Sequence, residues 1–269
     1  MNGITSRARL AVAVIAWLLT TMPLGAAVAQ AHVDVLSTSR SWAGYIVTRR
    51  PADGAFKGVA GSWVQPDASC IAGRPSSSLF WVGLGGYKRN SFKIEQIGTE
   101  AVCSGAGRAS YAAWYELAPK PPVRIKLAIA PGDAVSAGVT VTGHEVFFHL
   151  RNRTSGHEFV KRQSLPSPDT SSAEWITEAP LECYGRTCIP EPLTDFGTIT
   201  FSGATAVAAD GHVGGLASPS WTTVESKIVG SNEGVTPSGN PLSVDATPAL
   251  SSSGASFSVT WLVISGPAP

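Results

Sequence analysis

Charge is scarce in this chain. Of its 269 residues only 14% are charged, against roughly 25% in ordinary soluble domains. No run of Lys and Arg exists to dock on nucleic acid or an anionic membrane surface. No apolar stretch of useful length has a helical period, which argues against a helical bundle and against alternating strands and helices. After the N-terminal segment no apolar run reaches the roughly 18 residues of a membrane span. No repeat of roughly 20–50 residues recurs, so solenoids and propellers are excluded.

The common catalytic signatures are missing too. There is no G-x-S-x-G nucleophile elbow, no Asp-Thr/Ser-Gly of the pepsin type, no P-loop and no G-x-G-x-x-G. GLGGY (83–87) is only a glycine-rich turn. HEVFFH (144–149) is one residue too long for the HExxH zinc motif. In a strand, His144 and His149 are an odd number of residues apart and face opposite ways. Four cysteines are present, Cys70, Cys103, Cys183 and Cys188, with no CxxC pair to suggest zinc. We expect no metal and no cofactor.

The first 29 residues read as a signal peptide. Arg7 and Arg9 form a basic start, Leu10 to Gly25 is apolar, and Ala27-Val28-Ala29 is a small-x-small cleavage site. Cleavage after Ala31 is an alternative. Without Arg7 and Arg9 the chain keeps 18 basic residues against 19 acidic ones. An exported chain makes the cysteines disulfide candidates. Three pairings are possible. Cys183–Cys188, closing the tight loop CYGRTC, together with Cys70–Cys103 is the favoured set. Asn152-Arg153-Thr154 is a glycosylation sequon, which matters only in a eukaryotic secretory pathway.

What the sequence does have is strand-like runs separated by Gly, Pro, Ser, Thr and Asn. They are 41–49, 56–66, 77–86, 91–98, 110–119, 123–133, 134–143, 144–152, 157–163, 173–180, 196–206 and 255–265. RTSG joins two of them as a hairpin. Residues 228–256 and 183–192 read as surface loops. About a dozen short strands without helices predict an all-β fold, a two-sheet antiparallel β-sandwich of the concanavalin A or lectin-like kind, in one domain over 32–269.

AEWITEAP (173–180) carries two acids in an otherwise apolar strand. Glu174 and Glu178 are four apart, so both point to one face. At about 3.3 Å per residue they stand about 13 Å apart. A glycosidase pair needs about 5–9.5 Å, so they are not each other's acid and base. A catalytic partner must come from a neighbouring strand. In SFKIEQIG (91–98), Gln96 alternates with Phe92 and Ile94, while Glu95 faces the other way with Lys93 and Ile97. A glutamine among apolar neighbours must be hydrogen-bonded or face a wet cleft.

These segments together resemble the glutamic peptidases, the eqolisin family of secreted acid proteases. The match runs from about Ser41 to Trp261 through SWAGY (41–45), WVGLGG (81–86), IEQIG (94–98), YAAWYELAP (111–119), APGD (130–133), AEWITEA (173–179) and DFGTITFSG (195–203). The resemblance implies two packed, curved antiparallel sheets with a cleft on a concave face. It implies a catalytic Gln/Glu dyad, falling here on Gln96 and Glu178, 82 residues apart. It places Trp42, Gly44, Trp81, Gly86, Trp114 and Glu116 at positions lining the cleft. Glu174 is then a structural or rim carboxylate.

The chemistry fits such a pair. A glutamate can take a proton from water and return it to the leaving amine. A glutamine amide supports the oxyanion without ionising, and a carboxylate base stays ionised in acid where histidine would be protonated. The expected function is a secreted acid endopeptidase acting on protein and peptide substrates as a monomer. It would contact neither nucleic acid nor, after signal cleavage, membrane. A lectin-like module binding carbohydrate or peptide without cleavage is the alternative.

The chain departs from the fungal pattern in three places. Gly85 and Ala112 stand where that pattern has Asp, and Ala179-Pro180 replaces an acidic or aromatic cluster. The leader is also short, which implies activation without removal of a sizeable propeptide and suggests a bacterial member.

Overall fold

The structure is a computed structural model that describes residues 33–88, 91–185, 187–235, 241–251 and 254–265. The expected signal peptide and its cleavage sites lie outside these residues. In chain order the strands are β1 (Val35–Ser39), β2 (Trp42–Thr48), β3 (Phe56–Val64), β4 (Ser76–Leu84), β5 (Glu95–Cys103) and β6 (Ala109–Leu117). Next come β7 (Val123–Ile125), β8 (Ala134–Thr142), β9 (Glu145–Asn152), β10 (Glu158–Ser164), β11 (Ser172–Glu178) and β12 (Leu181–Tyr184). The last are β13 (Thr187–Pro190), β14 (Thr198–Ala208), β15 (Val213–Gly214), β16 (Thr222–Val235), β17 (Pro241–Leu250) and β18 (Ser256–Ser265). The fold is all-β. No helix among the described residues is long and apolar enough to cross a membrane.

Two separate sheets were expected from the sequence. The hydrogen bonds instead follow one unbroken path of strands, β10-β9-β8-β3-β14-β18-β17-β16-β2-β11-β4-β5-β6-β7. This sheet folds over so that its two halves pack face to face. Trp175 on β11 donates to Ala60 O on β3 at 2.8 Å, and Trp63 on β3 donates to Thr99 Oγ1 on β5 at 3.0 Å. Tyr45 of β2 meets Phe257 of β18, and Tyr115 of β6 meets Phe148 of β9. Strands β16 and β17 make the bend, since they bond β2 on one side and β18 on the other. One continuous sheet leaves two open edges, at β10 and β7, where two separate sheets would leave four.

Burial follows strand position. β9 alternates between buried and more exposed residues because one face meets solvent, while β10, at the end of the path, carries Glu158, Lys161 and Arg162. Charged edge strands resist pairing with other chains. β11 is buried from Ser172 to Ile176 and on through Thr177, since the core covers one face and a second apolar cluster the other. That explains why AEWITE reads as continuous rather than alternating.

Some expected boundaries move. The stretch 228–256, read as loops, supplies most of β16 and all of β17. Its Ser- and Gly-rich composition hides strands whose pairing is irregular between Ile228 and Ser231 and between Asn232 and Val235. The 183–192 region holds the small hairpin β12–β13, with Cys183 opposite Cys188. The run 123–133 is strand only at Val123–Ile125. Farther on, Ala128 O takes its hydrogen bond from the Asn152 side chain instead of a strand. Asn152 is 1% exposed and its amide also binds Asp133, so the sequon is closed to glycosylation. Run 91–98 becomes strand only at Glu95, and Phe92 is exposed. Both favoured disulfides are present, Cys70–Cys103 and Cys183–Cys188.

Gly44 shows how tightly β2 and β11 approach. A Cβ there would stand 2.1 Å from the Trp175 carbonyl oxygen, and the residue has φ +144°. The obstacle is backbone and cannot swing aside. Gly44→Ala should therefore destabilise the fold by about 3 kcal/mol, read as a lower urea midpoint at unchanged slope.

Candidate active site

Strand register arranges the candidate residues in three cross-strand rows on one face, opposite the main core. The first row is Trp42, Glu178, Leu79, Glu100 and Ala112. The second is Gly44, Ile176, Trp81, Gly98 and Trp114. The third is Ile46, Glu174, Gly83, Gln96 and Glu116. Ile46, Trp81, Trp114, Ile176 and Val224 form a small buried cluster here, with Trp42, Leu79, Tyr87 and Ile94 packed against it. The tertiary fold thus brings β2, β11, β4, β5 and β6 side by side, although their segments are scattered from residue 42 to 178.

Glu178 ends β11 and is partly buried. The Trp81 indole Nε1 donates to its Oε2 at 2.7 Å. Burial pushes the Glu178 carboxyl up to about 7, against the lowering influence of hydrogen bonds from Trp81 and Trp42, and the charge of Glu116 adds to the rise. Gln96 is 4% exposed. Its Nε2 donates to Glu116 Oε2 at 2.7 Å, while its buried Oε1 has no protein partner. Burial also raises Glu116, partly offset by that bond from Gln96.

Gln96 and Glu178 do not touch. Two strand steps and four residues separate them, about 16 Å between Cα atoms on a flat sheet. The Trp81 indole lies between. One end donates to Glu178, and the other rests beside Gly83, where a Cβ would meet both the ring and Gln96 at 3.0 Å.

The other expected cleft residues divide. Trp42 is partly buried, with its ring edge-on to Trp81 at 5.2 Å between centroids. Trp81 and Trp114 are 0% and 3% exposed, so they are buried in the apolar cluster of this face rather than forming surface a ligand could lie along. Gly44 is buried too. Gly86 is partly exposed, with Ile94 filling the space a side chain would need. Glu116 holds the Gln96 amide.

Glu174 is not at the rim. It is 0% exposed, and neither carboxyl oxygen has a well-formed hydrogen bond. Burial pushes it well above the ordinary carboxylate range, against the nearby Ser172 hydroxyl, while the charges of Asp169 and Glu95 add to the rise. Two acids escaped the sequence reading. Glu95, also 0% exposed, accepts from Asp169 N at 3.2 Å; burial pushes it up to about 8. Asp169 accepts from Gly86 N, Ser171 N and Ser91. Burial opposes its charge, but these hydrogen bonds outweigh it and hold Asp169 below the usual range. The signal for Glu95 was its place on the inward face of β5. Asp169 sits in a loop and left no sequence trace.

Among the described residues no group of three or more His, Cys, Asp or Glu is arranged to hold a metal ion. The arrangement offers, on one face of the sheet, a carboxyl held by an indole and an amide whose oxygen has no protein partner.

Comparison with known proteins places the fold and the family. The structure resembles scytalido-glutamic peptidase, solved with a peptide-based transition-state analogue, with a TM-score of 0.64 and 22% identity over 83% of this chain and 99% of that one. It resembles SCP-B, a member of the eqolisin family in complex with the tripeptide Ala-Ile-His, with a TM-score of 0.60 and 21% identity over the same shares. Aspergilloglutamic peptidase from Aspergillus niger matches with a TM-score of 0.52 and 24% identity over 70% of this chain and 99% of that one. No curated protein sequence matches. The family model described as the peptidase A4 family matches residues 40–238, most of the described chain, and so the chain belongs to the peptidase A4 family.

Proposed function

We propose that the chain is a secreted endopeptidase in which Glu178 and Gln96 act together on a water molecule. The observation that carries this is Gln96. It is a buried glutamine with its Nε2 committed to Glu116 and its Oε1 left without a protein partner, on the groove face that also holds Glu178. In its ionised form Glu178 takes a proton from the attacking water, whose other hydrogen is accepted by Gln96 Oε1. The amide nitrogen has a second N–H beyond the one given to Glu116, and this steadies the oxyanion as the carbonyl carbon becomes tetrahedral. Glu178 then returns its proton to the departing amine, so the base becomes the acid. Trp81 aims the carboxyl and Glu116 aims the amide.

The raised Glu178 narrows the pH reading. A carboxylate of ordinary acidity would outlast histidine in acid, but burial removes most of that advantage in the free protein. We therefore place activity on the mildly acidic side of neutrality. The two disulfides agree with an oxidising compartment, and the N-terminal pattern with export. Substrates are peptides lying along the groove, bound by a monomer.

Gln96→Ala should lower kcat by about 10²–10³-fold, as loss of one oxyanion donor does, with KM nearly unchanged. The measurement is hydrolysis of a denatured protein at pH about 6–7, with a pepstatin-type inhibitor present, alongside thermal unfolding to check the fold. Wild-type activity in a folded Gln96→Ala protein would remove Gln96 from the mechanism. Binding of sugars or peptides with no cleavage at any pH would favour the lectin-like alternative.

A further inference from the structure

Strand register carries the candidate rows onto β7. Arg124 stands opposite Trp114, so the row of Gly44, Ile176, Trp81, Gly98 and Trp114 ends on it. The next residue, Ile125, points the other way and is buried in the main core. Arg124 therefore projects from the face that carries Glu178 and Gln96. Its guanidinium does not stay above β7. Arg124 Nη2 donates to Glu100 Oε1 at 3.2 Å, and Glu100 lies two strands away on β5, in the row of Glu178 and Leu79. The arginine stem thus crosses β6 beside Ala112, which stands opposite Glu100 and offers only a methyl group. The pair is open to water, with side chains 65% and 24% exposed, whereas Trp81, Trp114, Ile176 and Gln96 on the same face are buried. The bond to Glu100 occupies one of the five N–H donors of a guanidinium.

We propose that Arg124 is a specificity-determining residue that binds the carboxylate of an Asp or Glu side chain in the peptide, about three residues from the bond that is cut. This rests on the peptidase reading above. The spacing comes from the row. Glu178, Leu79 and Glu100 are consecutive members, which puts about 10 Å between Glu178 and the Glu100 that anchors the guanidinium. An extended peptide covers that span in about three residues. The sign follows from which groups keep their charge. A guanidinium stays charged at every working pH. The carboxyls of the same rows, Glu100, Glu116, Glu174 and Glu178, are each pushed up chiefly by burial. Arg124 lowers Glu100 against that burial, and the charge of Glu191 adds to the rise. On the mildly acidic side of neutrality these carboxyls take up protons more readily than a solvated Asp or Glu of the substrate, which stays ionised. The substrate carboxylate then meets the guanidinium donors that Glu100 leaves over.

Fluorogenic peptides that carry Asp, Asn or Lys at each position in turn around one cleaved bond test it, read as kcat/KM of the full chain at pH about 6–7. Wild type should favour Asp over Asn by up to about fivefold at a position about three residues from the bond, and disfavour Lys there, the size of a water-exposed charge contact. Arg124→Gln should level the three peptides. Arg124→Glu should reverse their order at that position and at no other, with thermal unfolding to check the fold; either variant alone suffices. Loss of a merely structural ion pair would slow all three peptides alike. An Asp preference that survives in a folded Arg124→Glu protein would overturn the assignment, as would a wild type indifferent to charge at every position. If wild type cuts none of the peptides, the peptidase reading falls, and fluorescence anisotropy with the same peptides decides the subsite. Tighter binding of the Asp peptide by wild type, reversed in Arg124→Glu, supports it, and equal binding overturns it.

Discussion

Glu178→Gln should abolish peptide hydrolysis while leaving the fold intact: kcat is expected to fall by about 10³–10⁴-fold, because the proposal gives this one side chain both the base and the acid roles. Glutamine is the informative replacement. Its Oε1 still accepts the Trp81 N–H that Glu178 accepts at 2.7 Å, so indole and groove stay in place while the titrating group is gone. Stability at pH 8 should rise slightly, since an ionised carboxylate no longer has to be sheltered there. Glu174→Gln is the matched control. It removes an acid from the same strand and the same face, four residues away, and should retain measurable activity. In wild type the acid limb of kcat/KM should fall above the ordinary carboxylate range, toward about 7, as one proton is added to Glu178. A folded Glu178→Ala protein with full activity would end the assignment, and a limb near pH 4 would show that Glu178 is better solvated than its surroundings imply.

The second large effect is on stability. Five carboxyls, those of Glu95, Glu100, Glu116, Glu174 and Glu178, are raised in the folded protein, each chiefly by burial. A raised carboxyl binds its proton more tightly folded than unfolded. Its contribution is complete below the unfolded value and is lost as pH climbs through the folded one. For Glu178 that loss runs from 4.5 to about 7, and for Glu95 from 4.5 to about 8. At about 1.4 kcal/mol per pH unit, the fully buried Glu95 and, to a smaller degree because water reaches it, the partly buried Glu178 together account for several kcal/mol.

Asp169 works the other way. Its stabilisation is present above the unfolded value of 3.8 and lost as pH falls below it. The exposed pairs Arg50–Asp53 and Arg162–Glu145 contribute little at any pH. The melting temperature should therefore be highest near pH 4–5 and lower by about 10 °C or more at pH 8, taking about 2–4 °C per kcal/mol for a chain of this size. Differential scanning calorimetry across pH 3–9 measures it. A flat profile, or a maximum at pH 7–8, would mean that these carboxyls are hydrated in the folded protein.

Much of the site was legible because strand periodicity is local. The face shared by Glu174 and Glu178, and their separation, follow from counting along AEWITE. The inward direction of Glu95 follows from its alternation with Ile97. Long-range pairing is another matter. That Gln96 lies across Gly83 from Glu174, two rows away from Glu178, depends on how β5, β4 and β11 align. A shift of two residues would give a different neighbour with the same pattern of faces.

The tryptophans mark the same divide. Their presence in SWAGY, WVGLGG and YAAWYELAP announces an aromatic cluster, but not that Trp81 and Trp114 are buried while Trp42 stays partly open. Nor does composition separate a polar loop from a polar strand, which is why β16 and β17 hid in a Ser- and Gly-rich stretch. Their backbones pair with β2 and β18 whatever side chains they carry.

The sequence by itself determined the all-β class and the face shared by Glu174 and Glu178, and it favoured the two cysteine pairs that form, since period and spacing are properties of short segments; the residues proposed for hydrolysis came from the family resemblance. Only the tertiary structure decided that one sheet folds over on itself, that the Trp81 indole holds the Glu178 carboxyl, and that Glu95 and Glu174 are fully buried. Those facts depend on strand register and on desolvation, and both are set by residues far apart in the chain.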